Sequence, residues 1–211
     1  MKTEINGWEI NIKELETEIY GLKFRPQLDE KYDNDADWEV FTKGGFVEVS
    51  QQNFELMESI SKKYCNDAIM EIGVSRNGEG SFTRAILNNK PDNVPYLGVD
   101  LDDKSYLNNV DKKIFTIKEN SFNQIAIRSY LKEIGIDKLS LLFIDGWHSV
   151  NAVINDWMYT DLLSDNAIVV FHDTNYHPGP AVFLSAIDET LFKIERYFEG
   201  MDYGMAVAYK L

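Results

Sequence analysis

The sequence is short of cysteine, of positive charge and of long apolar runs, and each shortage excludes something. Cys65 is the single cysteine among 211 residues, so no internal disulfide can form and a bland buried thiol in a reducing compartment is expected. Basic residues number 21 against 35 acidic ones, and the formal charge of -14 opposes any polyanion bound by phosphate neutralisation. Nucleic acid and anionic membrane are therefore not expected as partners. No stretch reaches the ~20 apolar residues that a membrane span requires, and the opening "MKTEINGWEINIKELETEIY" lacks the apolar centre of a secretion signal. A soluble, cytoplasmic protein is the expectation.

What is present is enough apolar material, 44% of the residues, for one sizeable core. From about residue 50 onward strand and helix patterns alternate. Phe54, Met57, Ile60 and Tyr64 recur at helical spacing; "AIMEIG" reads as a strand, "SFTRAIL" as a helix opened by Ser81, and "PYLGVD" as a second strand. "KIFTIK" gives a third strand, and "SFNQIAIRSYLKEIG" a helix with Ser121 and Gln124 in capping-box positions and Gly135 as its stop. "LSLLFID", almost continuously apolar, suits a strand covered on both faces. A helix with Val150, Val153, Ile154, Trp157, Met158 and Leu162 on one face follows, then "AIVVFHD" as the fifth strand. This alternation predicts an α/β fold, a doubly wound, mostly parallel seven-stranded sheet.

The pattern breaks at both ends. After a helix from about Pro180 to Thr190, "LFKIERYFEG" and "YGMAVAYKL" predict an antiparallel C-terminal hairpin, with Gly200 and Gly204 suiting its turn. Residues 1–45, charged and rich in Trp and Tyr, as in "LDEKYDNDADWEVFTKGG", read as a small helical and irregular N-terminal cap on a ligand-binding domain over 46–211. Trp8, Phe24, Tyr32 and Trp38 leave three roles open: a lid over a substrate, a surface for a homo-oligomer, or a small core.

In doubly wound sheets ligands bind beyond the carboxyl ends of the strands, where strand order reverses. Those ends are polar here: Glu71 and Gly73, Asp100, Asp145 to His148, and His172 with Asp173. Gly73, Gly78 and Gly80 allow backbone to approach a ligand closely, and Ser81 caps the helix whose amides face it. Asp100, ending the second strand, suits ribose hydroxyls. A dinucleotide fingerprint would require glycine at position 83, where Thr83 stands, and Glu71 would repel a pyrophosphate but welcome an ammonium group. If the strands they end are neighbours, about 4.8 Å apart, Asp145 and Asp173 would repel each other unless a cation or proton lies between them.

Taken in order, "EIG" with its glycine loop, "YLGVDLD", "LLFIDGWH", "IVVFHDT" and the closing hairpin resemble the class I S-adenosylmethionine-dependent methyltransferases over about residues 50–211. Within that superfamily the chain is similar to small-molecule O-methyltransferases of the catechol and sugar-modifying kinds and to the cephalosporin-hydroxylase-like group. The resemblance implies methyl transfer to a hydroxyl of a small-molecule acceptor. It implies that Glu71 and Gly73 lie near the methionine end of the cofactor, with Gly78, Gly80 and Ser81 in the loop beside it. Asp100 would bind the ribose, Asn120 and Ser121 would lie near the adenine, and Trp147 would wall the cofactor or acceptor.

The resemblance also implies a divalent cation, magnesium or manganese, held by Asp145, His172 and Asp173. His172 departs from the acid or amide usual there, so either the ring turns away or the metal is softer than magnesium. His148 is the implied base: an imidazole titrating near pH 6.5 can accept a hydroxyl proton as the methyl moves. His177, in "NYHPGP", reads as a surface-loop residue. Two other readings stay open: a metal-dependent hydrolase using Asp145, His148, His172, Asp173 and His177, and a module that binds a cofactor without chemistry.

Overall fold

The computed structural model describes residues 2–5, 8–15, 18–28, 50–75, 81–175, 177–198 and 203–211. The main sheet runs β4 (Ala68–Ile72), β5 (Tyr96–Asp100), β6 (Ile114–Lys118), β7 (Leu139–Ile144), β8 (Leu163–His172), β9 (Phe192–Tyr197) and β10 (Met205–Lys210) along the chain. In space the order is β6-β5-β4-β7-β8-β10-β9. The first five strands pair in parallel, and β10 lies antiparallel between β8 and β9, as the terminal hairpin pattern predicts. The chain winds outward from β4 through β5 to β6, then returns to start β7 on the other side of β4. The switch in direction therefore falls between β4 and β7.

Alternate residues of the central strands enter two separate cores, as the period of two dictates. Ile69, Leu141, Phe143, Ile168 and Val170 pack with Met57, Ile60, Phe82 and Ile86 from helices α1 (Gln51–Tyr64) and α2 (Phe82–Asn89). Met70, Ile72, Leu142, Ile144, Val169 and Phe171 face the other way, toward α3 (Gln124–Glu133), α4 (Val150–Trp157) and α5 (Pro178–Phe183). All six residues of β7 are buried, which is why that segment shows no polar alternation.

Local chemistry sets the helix ends. Ser81 caps α2 by accepting from the Arg84 amide, and Gly135, at φ +75°, follows α3. The predicted capping box at Ser121 is not formed: the α3 cap is Asn123, whose side chain accepts from the Ala126 amide. The helix expected from Pro180 to Thr190 starts at Pro178 and ends at Phe183, continuing only as a short 3-10 turn to Ala186. Met158, expected on the buried face after Trp157, is 43% exposed because α4 tightens into a 3-10 turn there and rotates it outward.

The N-terminal segment differs more. Where a helical and irregular cap is predicted, its described part forms a three-stranded antiparallel sheet, β1 (Lys2–Ile5), β2 (Trp8–Lys13) and β3 (Arg25–Leu28), in that spatial order. Pro26 is tolerated because β3 is an edge strand. Ile10, Leu22 and Leu28 join the core on the α3, α4 and α5 side, and Trp8 and Phe24 pack against it, so these two aromatics serve a core. Tyr32 and Trp38 lie outside the described residues. Trp157 fastens the union: it is fully buried against Phe171, Phe183 and Phe192, and its indole N–H donates to the Tyr20 carbonyl at 2.7 Å. No described helix is long and apolar enough to cross a membrane. Replacing Trp157 by Ala removes the largest buried side chain at this junction and should lower the unfolding free energy by about 3–5 kcal/mol in urea titrations. A loss below about 1 kcal/mol would mean that the N-terminal sheet is not built into the core.

Candidate functional site

The tips of β4 and β7 nearly touch. Gly73 has φ +86°, and a Cβ there would stand 1.9 Å from the Asp145 carbonyl oxygen, so only glycine lets the two strand ends cross. The Asp145 amide donates to the Ile72 carbonyl and the Gly73 amide to that of Val99, stitching the tips of β7, β4 and β5 together. Gly78 and Gly80 lie outside the described residues.

Glu71 is wholly buried beneath this crossing. The hydroxyls of Thr83 and Tyr96 each donate to its carboxyl, and the Ser75 amide donates to Thr83 Oγ1. The carboxyl expected near a ligand's ammonium thus faces inward and pins the start of the glycine loop. Burial lifts its pKa to about 8, against the pull of the two hydroxyls. Thr83 supplies this link from the position where a dinucleotide fingerprint would place glycine.

Asp100 lies at the rim, as predicted. Its carboxylate accepts from the amides of Val74 at 2.9 Å and Asp102 at 2.7 Å, with the buried Lys104 ammonium 3.6 Å away. An ionised carboxylate has about four lone-pair directions, so Asp100 keeps room for further donors. Asn120 is exposed beyond β6, and Ser121 follows it, half-buried, with its carbonyl accepting from Tyr159. Large apolar side chains stand open around the same rim: Leu101 is 59% exposed, Phe122 51% and Trp147 55%. Asp156 of α4 is fully buried below the β7 tip. Burial raises its pKa to about 7, Ser121 and Asn155 pulling the other way, and its Oδ2 has no hydrogen-bond partner among the described residues.

The ionisable cluster lies at the tips of β7 and β8, which are neighbours. His172 does not turn away. Its Nδ1 lies 3.1 Å from Asp145 Oδ1 and 3.2 Å from Asp173 Oδ2, and the ring is buried against Phe82. Burial pulls its pKa down, but the two carboxylates outweigh this and hold it well above the ordinary value. Burial raises the Asp145 carboxyl, with His172 opposing, whereas His172 and His148 overcome burial at Asp173 and hold it low. Asp173 adopts φ +60°, a left-handed conformation that aspartate tolerates better than most residues, and its Oδ2 lies 2.8 Å from His148 Nε2.

His177 is the residue the sequence most misplaces. It is 4% exposed, not on the surface, and its ring stacks on His148 with centroids 3.8 Å apart. The "HPGP" spelling was the available signal, since prolines flanking a glycine mark a stiff close crossing as readily as a loose loop. Asp145, His172 and Asp173 place one donor atom each within 4.8 Å of one another. One nitrogen and two carboxylate oxygens suit a divalent cation of intermediate softness, manganese better than magnesium.

Glu71 and Asp156 hold protons in the folded chain that they release when unfolded. Their folded pKa values of about 8 and 7 lie above the ordinary 4.5 and 3.8, so their contribution to stability is fully present below about pH 4 and is lost as pH rises through 7 and 8. Urea midpoints of the wild type should fall over that window, and Glu71→Gln and Asp156→Asn should each flatten the decline. Curves parallel to the wild type in both variants would contradict the buried, proton-holding state.

No protein-family model matches the sequence, and no curated protein matches it at a significant level. Solved structures do match in fold. One is the methyltransferase MycE from the mycinamycin biosynthetic pathway in complex with Mg, SAH and mycinamycin VI, with a TM-score of 0.56 at 15% identity. It covers 82% of this chain, which in turn spans about half, 52%, of that protein. The O-methyltransferase of Bacillus cereus in complex with SAH gives a TM-score of 0.56 at 11% identity, covering 82% of this chain and 87% of its own. The O-methyltransferase TomG of Streptomyces achromogenes, involved in tomaymycin synthesis and solved with SAM, gives 0.53 at 14% identity, covering 87% and 91%. At these identities the likeness establishes architecture alone: the chain has a Rossmann-like fold that these methyltransferases share.

Proposed function

We propose that this chain transfers a methyl group from S-adenosylmethionine to a hydroxyl of a small molecule, with His148 as the base. The observation that carries the reading is the His148–Asp173 pair, 2.8 Å apart, beside the β4/β7 switch point of a fold whose solved examples include complexes with SAM and SAH. S-adenosylmethionine, when bound, supplies an electrophilic methyl, and a divalent cation lowers the acceptor hydroxyl's pKa.

The chain's own residues supply position and proton transfer. Asp100 has capacity left for ribose hydroxyls, and Leu101, Phe122 and Trp147 offer apolar surface to an adenine ring. The Glu71–Thr83–Ser75 links fix the backbone that follows Gly73, so the buried Glu71 acts by positioning Ser75 and not on the ligand. Asp173, 2.8 Å from His148 Nε2, orients the imidazole that takes the acceptor's proton. Asp145, His172 and Asp173 are the residues that would hold the cation. In this reading residues 46–211 bind the cofactor, and the sheet of β1, β2 and β3 docks on the α3, α4 and α5 side of that domain. The net charge of -14 favours a small-molecule acceptor over nucleic acid or an anionic membrane, and a cytoplasmic location is part of this proposal.

Calorimetry with S-adenosylhomocysteine tests the reading against a hydrolase, which would give no heat. Binding is expected, and Asp100→Ala should weaken it at least tenfold, on the order of 1.4 kcal/mol. Against a panel of phenols and sugars, His148→Gln should lower turnover by about 10²–10⁴ while S-adenosylhomocysteine affinity holds. An unchanged turnover would remove His148 from the chemistry.

A further inference from the structure

We propose that His148, Asp173 and His177 form a second metal site, selective for an ion of the zinc class and distinct from the oxygen-rich set at Asp145. One donor atom from each of the three lies within 4.8 Å of the others. Two imidazoles and one carboxylate make a donor set suited to Zn(II), Co(II) or Fe(II), which accept nitrogen ligands that magnesium disfavours.

The site is built into stiff backbone. Gly179 crosses directly over His148: a Cβ on Gly179 would stand 1.9 Å from the His148 carbonyl oxygen. Pro178 and Pro180 bracket that crossing, and the His177 amide donates to the Asp173 carbonyl at 3.3 Å, so the third residue's backbone is tied to the second. The loop between them is anchored to the terminal hairpin, with the Asn175 amide donating to the Tyr203 carbonyl and its side chain to that of Phe198. To close on one ion the stacked rings of His148 and His177, with centroids 3.8 Å apart and planes at 24°, have to splay until both in-plane lone pairs point at it. Burial of Asp173 and His177 also shields the set from bulk water, while His148, 24% exposed, leaves a path of entry.

The two sets share Asp173. An ion on the nitrogen-rich set therefore withdraws a carboxylate from the Asp145 set. Zinc-class ions should act as inhibitors of whatever the rim performs, and magnesium should not. The inference stands on the cluster's geometry and does not depend on methyl transfer.

Co(II) provides the test, since its visible bands report coordination and its paramagnetism shifts the exchangeable ring N–H signals of ligated histidines. Titration of the full chain should give a saturable visible spectrum, competed by Zn(II) but not by Mg(II), with two shifted histidine N–H signals. His177→Gln should weaken Co(II) binding by about tenfold or more and remove one signal, while His172→Gln should leave both. Absence of saturable binding, or a single shifted signal lost with His172→Gln, would overturn the proposal. The wild-type count of signals decides between the two sets even if a variant fails to fold.

Discussion

Two carboxylates end adjacent parallel strands, and the arrangement of the rim follows from how their repulsion is relieved. Asp145 and Asp173 could not both stay ionised at the tips of β7 and β8 without positive charge or a proton between them. The ring of His172 occupies that place, within about hydrogen-bond distance of both. Asp173 is thereby kept ionised and can hold His148 by its other side. A divalent cation held by the same three residues would take over that role as His172 gave up its proton.

That electrostatic arrangement depends on a steric one. The β4 and β7 tips approach so closely at Gly73 that any side chain there would collide with Asp145 backbone. The crossing sets Gly73 against Asp145, and Glu71 and Thr83 anchor Ser75 just beyond it from below. A second crossing, Gly179 over His148, brings α5 and His177 in from the opposite side. Both glycines act by permitting backbone contact, and the polar rim is assembled around those two contacts. The buried protons on Glu71 and Asp156 belong to the same design, since acids placed under the strand tips stay neutral in preference to carrying charge without water.

Much of this was legible in the sequence. The parallel strands, their helices, the inserted terminal strand and the positions of Asp100, Asp145, His148, His172 and Asp173 on one rim all follow from apolar periodicity interrupted by polar strand ends. The misreadings have physical causes. Residues 2–28 carry alternation too short and too charged to separate strand from helix, and their sheet is stabilised by docking on Trp157 and its neighbours. Ser121 lost the capping role to Asn123 because α3 begins two residues later, at Gln124, where the Asn123 side chain reaches the Ala126 amide.

By itself, then, the sequence determined the order of elements and which polar residues stand at strand ends, because periodicity and punctuation are local properties of a chain. Only the tertiary structure decided where those side chains point. Glu71 turned inward to Thr83 and Tyr96, His172 lay between two aspartates, and His177 left the surface to stack on His148. Each of these depends on contacts between residues far apart in sequence, and burial, charge and close backbone crossing act through space, where no spacing along the chain records them.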